Sequence, residues 1–479
     1  MNSLPVIWQV GSCQPAAGDL LAALNATEKG LGCVMKQIHA FQHTDSGVTA
    51  CSFAEFDDQW QSLLMSAMPD VIYVHGLVSR ELVVCCAKWL RHIKAQLPSI
   101  KVILRLDAAF AEQTQTTAAC FVSELSASAD LVVTKKDHLA QWLDNLEGSS
   151  DKAIQRALQP MFSLSKAPWL LLDELPGVGF ISQHQALNFS LCAEASFLTP
   201  IDQNIRLLSL VCFLAHGYDE LDAITMAQSY LASHLDESAS WPNNTHYLPV
   251  ISTIETPCLE DKCASLSFAA IDLEKFGLYP VVDSIEWLQL VLENGATTAQ
   301  LRIKDPHELT LDSQIKEAVA LGQRYQAQVF INDYWQKAIE HGAFGIHLGQ
   351  EDLAVADLEA IAQAGLALGI STHGYFEIAN AMKINPSYIA LGHIFPTQTK
   401  DMPSQPQGLV RLALYAALLK GRYPTVAIGG ISAQRVAPVH KAGVDSVALV
   451  TAITKAANPE QATRELLSLY QTEKALVHE

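Results

Sequence analysis

The sequence predicts an α/β protein in two parts: a mostly parallel sheet covered by helices, then, from about Phe276, a closed (β/α)8 barrel. Three observations predict it. Apolar runs of strand length alternate with stretches of helical periodicity along most of the chain, the rhythm of βαβ units. Beyond Phe276 eight such runs arrive within roughly 200 residues, the count of a compact barrel, whereas open doubly wound sheets usually have fewer. Finally, 479 residues exceed what one barrel uses, and 49% hydrophobic with 17% charged residues suits a globular chain of two or three domains.

In chain order, the first part opens with the strand Val6-Ile-Trp-Gln-Val, a helix over Leu20 to Lys29 and a strand from Val34 to Ile38. Val71-Ile-Tyr-Val, a helix from Glu81 to Leu97, Val102-Ile-Leu-Arg-Leu and Leu131-Val-Val-Thr continue the alternation. Ile205 to Ala215 and Glu220 to Ser233 have helical spacing, with Gly217 in the position of a C-cap between them. Asp236 to Asn244 is rich in Ser, Asp, Asn and Pro, as a linker would be. The expected division is a domain over 1–240, a linker over 241–275 and a barrel over 276–479.

The barrel strands are read at Leu278 to Val282, Thr298 to Arg302, Val329 to Ile331, Gly345 to Leu348, Leu368 to Ser371, Tyr388 to Leu391, Val426 to Ile428 and Ser446 to Val450. Helical periodicity lies between them at Ile285 to Glu293, Leu311 to Tyr325, Trp335 to His341, Leu353 to Ala364 and Gln434 to Ala442. Barrel enzymes act at the C-terminal ends of their strands, so polar groups should gather there. They do: Gln300-Leu-Arg302-Ile-Lys304, Asn332-Asp333, His347 through Glu351-Asp352, Ser371-Thr-His373, Thr397-Gln-Thr-Lys400, Gly429-Gly430 and Val450-Thr451 each follow a strand.

Their chemical types divide by role. Arg302, Lys304 and Lys400 form a cationic set able to hold a diphosphate, Arg through its rigid fork and Lys as a mobile charge. Asp333 and Asp352, on neighbouring strands, are hard oxygen ligands suited to Mg²⁺, which keeps several waters and bridges phosphates. Gly429-Gly430 and Thr451 follow the pattern of the phosphate site made by the loops after strands seven and eight. No Ser/Cys–His nucleophile arrangement stands out, which points to chemistry driven by a leaving diphosphate.

Composition narrows the class further. A formal net charge of −19 argues against nucleic acid or an anionic membrane as partner, since both need a basic face. The N-terminal residues lack the basic and apolar regions of a signal peptide, and no apolar run is long enough to span a bilayer, so a cytoplasmic protein is expected. The ten cysteines make no CxxC pair and all precede residue 264; reduced, mostly buried thiols are expected, with Cys258 and Cys263 in the linker.

Two resemblances follow from these motifs. Gly11-Ser12, the Gly32-Cys-Val-Met turn, Gln42-His-Thr-Asp-Ser-Gly47-Val48, Leu214-Ala-His-Gly-Tyr and Ala223-Ile-Thr-Met-Ala-Gln-Ser-Tyr resemble a hydroxymethylpyrimidine phosphate kinase, which implies a ribokinase-like three-layer α/β domain over about residues 4 to 235. Gln42 matches a position that reads the pyrimidine in that family. Where the family has a glycine-rich anion hole and a polar base, this chain has Pro200-Ile-Asp-Gln-Asn204, and its early loop is Cys13-Gln-Pro-Ala-Ala. Without glycines the backbone N–H groups cannot close around a transferring phosphoryl group, so the domain is expected not to phosphorylate; the alternative is a bifunctional enzyme with a working kinase half.

The second part resembles thiamine phosphate synthase, through Gly-Leu-Tyr-Pro-Val-Val-Asp283, Gln-Leu-Arg-Ile-Lys304, Phe-Ile-Asn-Asp333, Gly-Ile-His-Leu-Gly-Gln-Glu-Asp352, Ser-Thr-His373, Gly-His-Ile-Phe-Pro-Thr-Gln-Thr-Lys400, Ala-Ile-Gly-Gly-Ile431 and Leu-Val-Thr-Ala-Ile453. The resemblance implies a Mg²⁺-assisted transferase that joins 4-amino-2-methyl-5-(diphosphooxymethyl)pyrimidine to a thiazole monophosphate, or its carboxylated form. Gln300, Leu301, Arg302, Ile303, Lys304, Asn332, Ser371 and Lys400 fall on positions that hold the pyrimidine diphosphate, Arg302, Lys304 and Lys400 being the catalytic ones. Asp333 and Asp352 fall on the metal ligands. Thr397, Gln398, Thr399, Gly430, Val450 and Thr451 fall on the thiazole phosphate site; Thr451 departs from the family's usual Ser but keeps the hydroxyl. The implied partners are these small molecules, and the sequence leaves open a homo-oligomer and a dimerisation scaffold in the first half.

Overall fold

The structure, a computed structural model, describes residues 4–11, 25–44, 47–77, 79–106, 124–142, 151–162, 166–172, 177–191, 198–238, 240–253, 266–397 and 405–477. The chain divides into two compact units, Met1–Pro242 with His246–Cys258, and Asn243–Thr245 with Leu259–Glu479.

The first unit is built on a nine-stranded sheet. Val6–Gly11 lies between Val34–His39 and Val71–Val74, and the sheet continues through Lys101–Leu106, Leu131–Lys135 and Trp169–Leu172, all parallel. Val178–Ile181, Ala186–Ser190 and Val250–Thr253 then add an antiparallel edge. The helices Phe53–Leu64 and Arg80–Gln96 bury one face each against it: Trp60 meets Trp8 edge-on at 6.1 Å and stacks on Trp89 at 6.3 Å. The first of these helices starts at a capping box, Ser52 and Glu55 each bonding the other's backbone N–H, which satisfies two otherwise unpaired donors. Among the described residues, Cys33, Cys51, Cys85, Cys86 and Cys212 are buried free thiols. Cys13, Cys258, Cys263 and the start of the helix expected from Leu20 lie outside the described residues.

Two expectations for this unit are corrected. The span 241–275 is not linker throughout: Thr245–Tyr247 forms a 3₁₀ turn and Val250–Thr253 pairs with Ala186–Ser190, because its alternation buries Ile251 while the polar residues before it disguise the strand. The helix read from Ile205 starts at Pro200, where Thr199 and Asp202 form a second capping box with Pro at the first turn. Those first residues, Asp202, Gln203 and Asn204 among them, are polar and lack the apolar run that marks the helix from Ile205.

The second unit closes into a barrel of eight parallel strands: β1 (Leu278–Val282), β2 (Thr298–Leu301), β3 (Gln328–Asn332), β4 (Gly345–Leu348), β5 (Ala367–Thr372), β6 (Tyr388–Leu391), β7 (Thr425–Ala427) and β8 (Ser446–Leu449). Strand β8 pairs back to β1, so no edge remains. The interior is filled by Phe276, Tyr279, Phe330 and Tyr388, with small residues opposite them: a Cβ on Gly345 would collide with Phe330, and one on Gly369 with Tyr388. Alternation of large and small side chains from neighbouring strands lets a narrow barrel pack solid. The helix read over Leu353 to Ala364 is two short helices, Gln350–Leu353 and Leu358–Gln363, because the Asp357 side chain accepts from the Ala360 N–H at 2.9 Å and starts the second one afresh. No described helix is long and apolar enough to cross a membrane.

Candidate active site

Where the eight strands run out, their ends surround a cavity of about 740 Å³. Strand β2 places Gln300 in its lining and Arg302 just beyond, the Arg302 N–H donating to the Val282 carbonyl at 2.7 Å and so extending the ladder with β1. The intervening Leu301 is buried outside the lining, since alternate side chains leave a strand on opposite faces. Ile303 is likewise buried outside it, and Lys304 stands exposed in the loop beyond, outside the lining that holds Gln300 and Arg302.

Strands β3 and β4 bring the carboxylates together. Asp333 has a left-handed backbone (φ 65°), a conformation that Asp tolerates better than most side chains, and its N–H donates to the His347 carbonyl at 3.0 Å. Its carboxylate accepts from the Asn332 amide. Asp352, on the short helix after β4, lines the same cavity, and both aspartates are half-buried. Two carboxylates in one cavity lining are hard oxygen groups of the kind that fits a divalent ion such as Mg²⁺. Elsewhere among the described residues Asp312, Glu340 and His341 approach one another on the outside, but Lys337 already pairs with both carboxylates there at 2.7 Å.

Strand β5 contributes Ser371, Thr372 and His373, whose Nδ1 meets Glu377 at 2.8 Å. After β6 come Gly392, His393, Pro396 and Thr397; burial, aided by the nearby charge of His373, holds His393 below the usual histidine range. Gly429 and Gly430 follow β7 with left-handed backbones (φ 105° and 63°), and a Cβ on Gly430 would strike the carbonyl oxygens of Phe395 and Pro396. Arg435 clamps this turn, donating to the Gly430 carbonyl at 2.6 Å while its guanidinium lies 4.2 Å over the Phe395 ring. The helix Ala433–Lys441 begins here with Ser432 at its N-cap making no side-chain cap bond, and Ser432, Ala433 and Gln434 line the cavity, so a helix N-terminus, the kind of end that suits an anion, adjoins it. Val450, Thr451, Ala452 and Lys455 complete the wall after β8.

Of the residues singled out in the sequence, the cavity therefore gathers Gln300, Arg302, Asn332, Asp333, Asp352, Ser371, Thr397, Gly430, Val450 and Thr451. Gln398, Thr399 and Lys400 lie outside the described residues. Sequence reasoning assigned no role to His347, His393, Ser432, Gln434 or Lys455, all of which line the cavity. Ser432 ahead of the helical run was the one legible signal, as an N-cap residue.

The match to the thiamine monophosphate synthase family model runs over residues 278–453, the span of these strand ends. The thiamine-phosphate synthase of Pectobacterium atrosepticum is 58% identical over 202 residues, 42% of this chain and 95% of that relative. The chain belongs to the thiamine-phosphate synthase family. Among solved structures, thiamine phosphate pyrophosphorylase from Pyrococcus furiosus is 30% identical, with a TM-score of 0.38 over 42% of this chain and 98% of its own. Phosphomethylpyrimidine kinase from Clostridium difficile 630 is 12% identical, with a TM-score of 0.37 over 48% of this chain and 100% of its own. As a member of this family the chain is an enzyme of thiamine biosynthesis, a transferase, and the strand-end residues of its barrel are the place to look for the chemistry.

Proposed function

We propose that the barrel condenses 4-amino-2-methyl-5-(diphosphooxymethyl)pyrimidine with 4-methyl-5-(2-phosphooxyethyl)thiazole, or its carboxylated form, releasing diphosphate and thiamine phosphate. The observation that carries this is a single cavity with two unlike anion-binding walls: Arg302 beside Asp333 and Asp352 on one side, and the Gly429-Gly430 turn with the start of helix Ala433–Lys441 on the other. The first wall suits a diphosphate held by a guanidinium fork, the second a monophosphate held by backbone N–H groups. Asp333 and Asp352 would hold Mg²⁺, which when bound offsets the negative charge of the departing diphosphate.

Arg302 stabilises that leaving group as its charge grows, and Lys304 and Lys400 belong to the same set of cations. The aminopyrimidine ring delocalises the positive charge left on its methylene carbon as the C–O bond breaks, and the thiazole nitrogen then forms the C–N bond. Gln300, Asn332 and Ser371 orient the pyrimidine; Thr397, Gly430 and Thr451 orient the thiazole phosphate. The protein thus contributes position and shielding from water rather than a base. Incubating the full chain with both substrates and Mg²⁺ should yield thiamine phosphate and diphosphate in equal amounts; neither product forming would overturn the proposal. Asp333→Asn should raise the Mg²⁺ concentration needed for half-maximal rate by about tenfold, the scale of one lost charged contact. An unchanged metal dependence would place the ion elsewhere.

For the N-terminal unit we infer no phosphorylation of hydroxymethylpyrimidine phosphate. Support comes from the start of helix Pro200–Ala215, where Asp202 accepts from the Thr199 N–H at 2.8 Å and its hydroxyl at 2.7 Å. A carboxylate already occupies the end of the helix where a transferring phosphoryl group would need bare N–H donors. With ATP and hydroxymethylpyrimidine phosphate the full chain should therefore form no diphosphate above background, read by phosphorus NMR.

A further inference from the structure

From the cavity lining into the barrel interior, five residues from five places in the sequence form one chain of hydrogen bonds. Gln300 Nε2 donates to the Tyr279 hydroxyl at 3.2 Å, the Tyr279 and Tyr388 hydroxyls meet at 2.9 Å, Tyr388 meets His347 Nδ1 at 2.8 Å, and His347 Nε2 meets Ser371 Oγ at 2.8 Å. Gln350 secures the far end by donating to the Ser371 carbonyl at 2.6 Å. Tyr279 and Tyr388 are almost wholly shut off from solvent, and burial pushes both phenols well above their ordinary range, so each keeps its proton.

With the Gln300 amide nitrogen turned toward Tyr279, counting those protons gives the direction of the chain. The Tyr279 oxygen accepts from the Gln300 amide, and among the described residues its hydroxyl has no partner other than Gln300 and Tyr388; its single proton must go to Tyr388. Tyr388, accepting there, has one proton left and gives it to His347 Nδ1. The imidazole then carries its hydrogen on Nε2 and donates it to Ser371 Oγ. Ser371 is left with its own proton and, among the described residues, no other partner for it than whatever enters the cavity it lines. At the other end, Gln300 has committed its nitrogen to Tyr279 and keeps its amide oxygen as an acceptor.

We propose that Tyr279, Tyr388 and His347 are positioning residues that set the polarity of both ends of this chain, so that Ser371 meets the pyrimidine diphosphate as a hydrogen-bond donor and Gln300 as an acceptor. The assignment rests on the synthase reading for the identity of the ligand, but not for the direction of the chain. A ring nitrogen or phosphate oxygen satisfies Ser371, and a ligand donor satisfies Gln300. With the Gln300 nitrogen in this orientation, reversing the direction would strand the Tyr279 proton against an N–H in a dry interior, the costly case of a buried polar group without an acceptor.

Nitrogen NMR on the full chain with ¹⁵N-labelled histidine, free of substrate, tests the direction without reference to catalysis. The His347 signals, identified as those lost in His347→Gln, should show a neutral ring with hydrogen on Nε2 and a bare Nδ1; hydrogen on Nδ1 would overturn the proposal. Steady-state kinetics then test the consequence. Tyr388→Phe keeps the ring and removes the hydroxyl, and should raise KM for the pyrimidine diphosphate about tenfold, the scale of one misdirected hydrogen bond, while KM for the thiazole phosphate stays within about twofold. Added to Ser371→Ala it should cost less than the two single changes summed, because both remove the Ser371 donor. Equal shifts in both KM values, or an additive double variant, would mark the tyrosine as packing alone. A chain that makes no thiamine phosphate would end the synthase reading and leave the nitrogen spectrum to decide the tautomer.

Discussion

Replacing Arg302 with alanine should lower the rate of thiamine phosphate formation by about two to three orders of magnitude, the range for removing one oriented group that meets developing charge. The expectation comes from how few cations this chain brings to bear. Its net charge is −19, and among the described residues lining the cavity the only lysine or arginine side chains are Arg302 and the exposed Lys455. Arg302 is half-buried, anchored through its backbone to β1, and shares its wall with Asp333 and Asp352. Without it, a departing diphosphate would face two carboxylates with less positive charge to offset them, and in a partly desolvated cavity that imbalance weighs more than in water. Arg302→Lys should recover only part of the loss, since an ammonium restores the charge but not the two-pronged geometry. Three readings check the idea together: kcat, KM for each substrate, and inhibition by inorganic diphosphate. The alanine variant should be inhibited more weakly by diphosphate while KM for the thiazole phosphate stays put. A loss under about tenfold would mean that the leaving group is stabilised elsewhere.

Arg302 was readable because barrels expose their chemistry at strand ends, and a cation directly after an apolar run is a local pattern. The same reasoning picked out Asn332, Asp333, Asp352 and the Gly429-Gly430 turn, which line the same cavity. It overreached at Leu301 and Ile303, which travel with their neighbours in a contiguous motif but face away from the cavity because adjacent side chains on a strand point oppositely. It missed the buried chain for a different reason: Tyr279 and Tyr388 are 109 residues apart and sit inside apolar runs, so each looks like ordinary core until the barrel closes and their hydroxyls meet. The edge strand Val250–Thr253 was hidden by its polar approach, and the first turn of Pro200–Ala215 by its polar residues Asp202, Gln203 and Asn204, which carry no apolar period. Local period and composition report which face is wet; they cannot report which distant residue lies opposite.

Opposition of that kind makes Gly369→Ala a severely disruptive single methyl group in the barrel. Gly369 on β5 is in register with Tyr388 on β6, and its added Cβ would fall within the ring and hydroxyl of that tyrosine. The ring cannot retreat: Phe330 lies 5.2 Å from it, Phe276 5.3 Å, Tyr279 6.0 Å, and His347 is stacked against it at 5.7 Å, all centroid to centroid. Overfilling a close-packed interior ordinarily costs about 1 to 3 kcal/mol, and displacing Tyr388 also breaks its two hydroxyl contacts at about 1 kcal/mol each, so a loss of about 3 kcal/mol or more is expected. The barrel's unfolding midpoint should fall by roughly 6 to 12 °C on the usual scaling for a domain of this size. Gly342→Ala separates this packing effect from backbone strain. Gly342 has φ 66° and nothing within 4 Å of where its Cβ would stand, so it should show only the left-handed penalty of about 1 to 2 kcal/mol. The two variants should differ in activity as well as in melting: Gly369→Ala moves the tyrosine that orients Ser371 and should impair turnover even well below its midpoint, whereas Gly342→Ala should work normally until it unfolds. Equal melting shifts with equal residual activity would mean that Tyr388 yields easily, and the rigid interior on which the positioning of Gln300 and Ser371 depends would be lost with it.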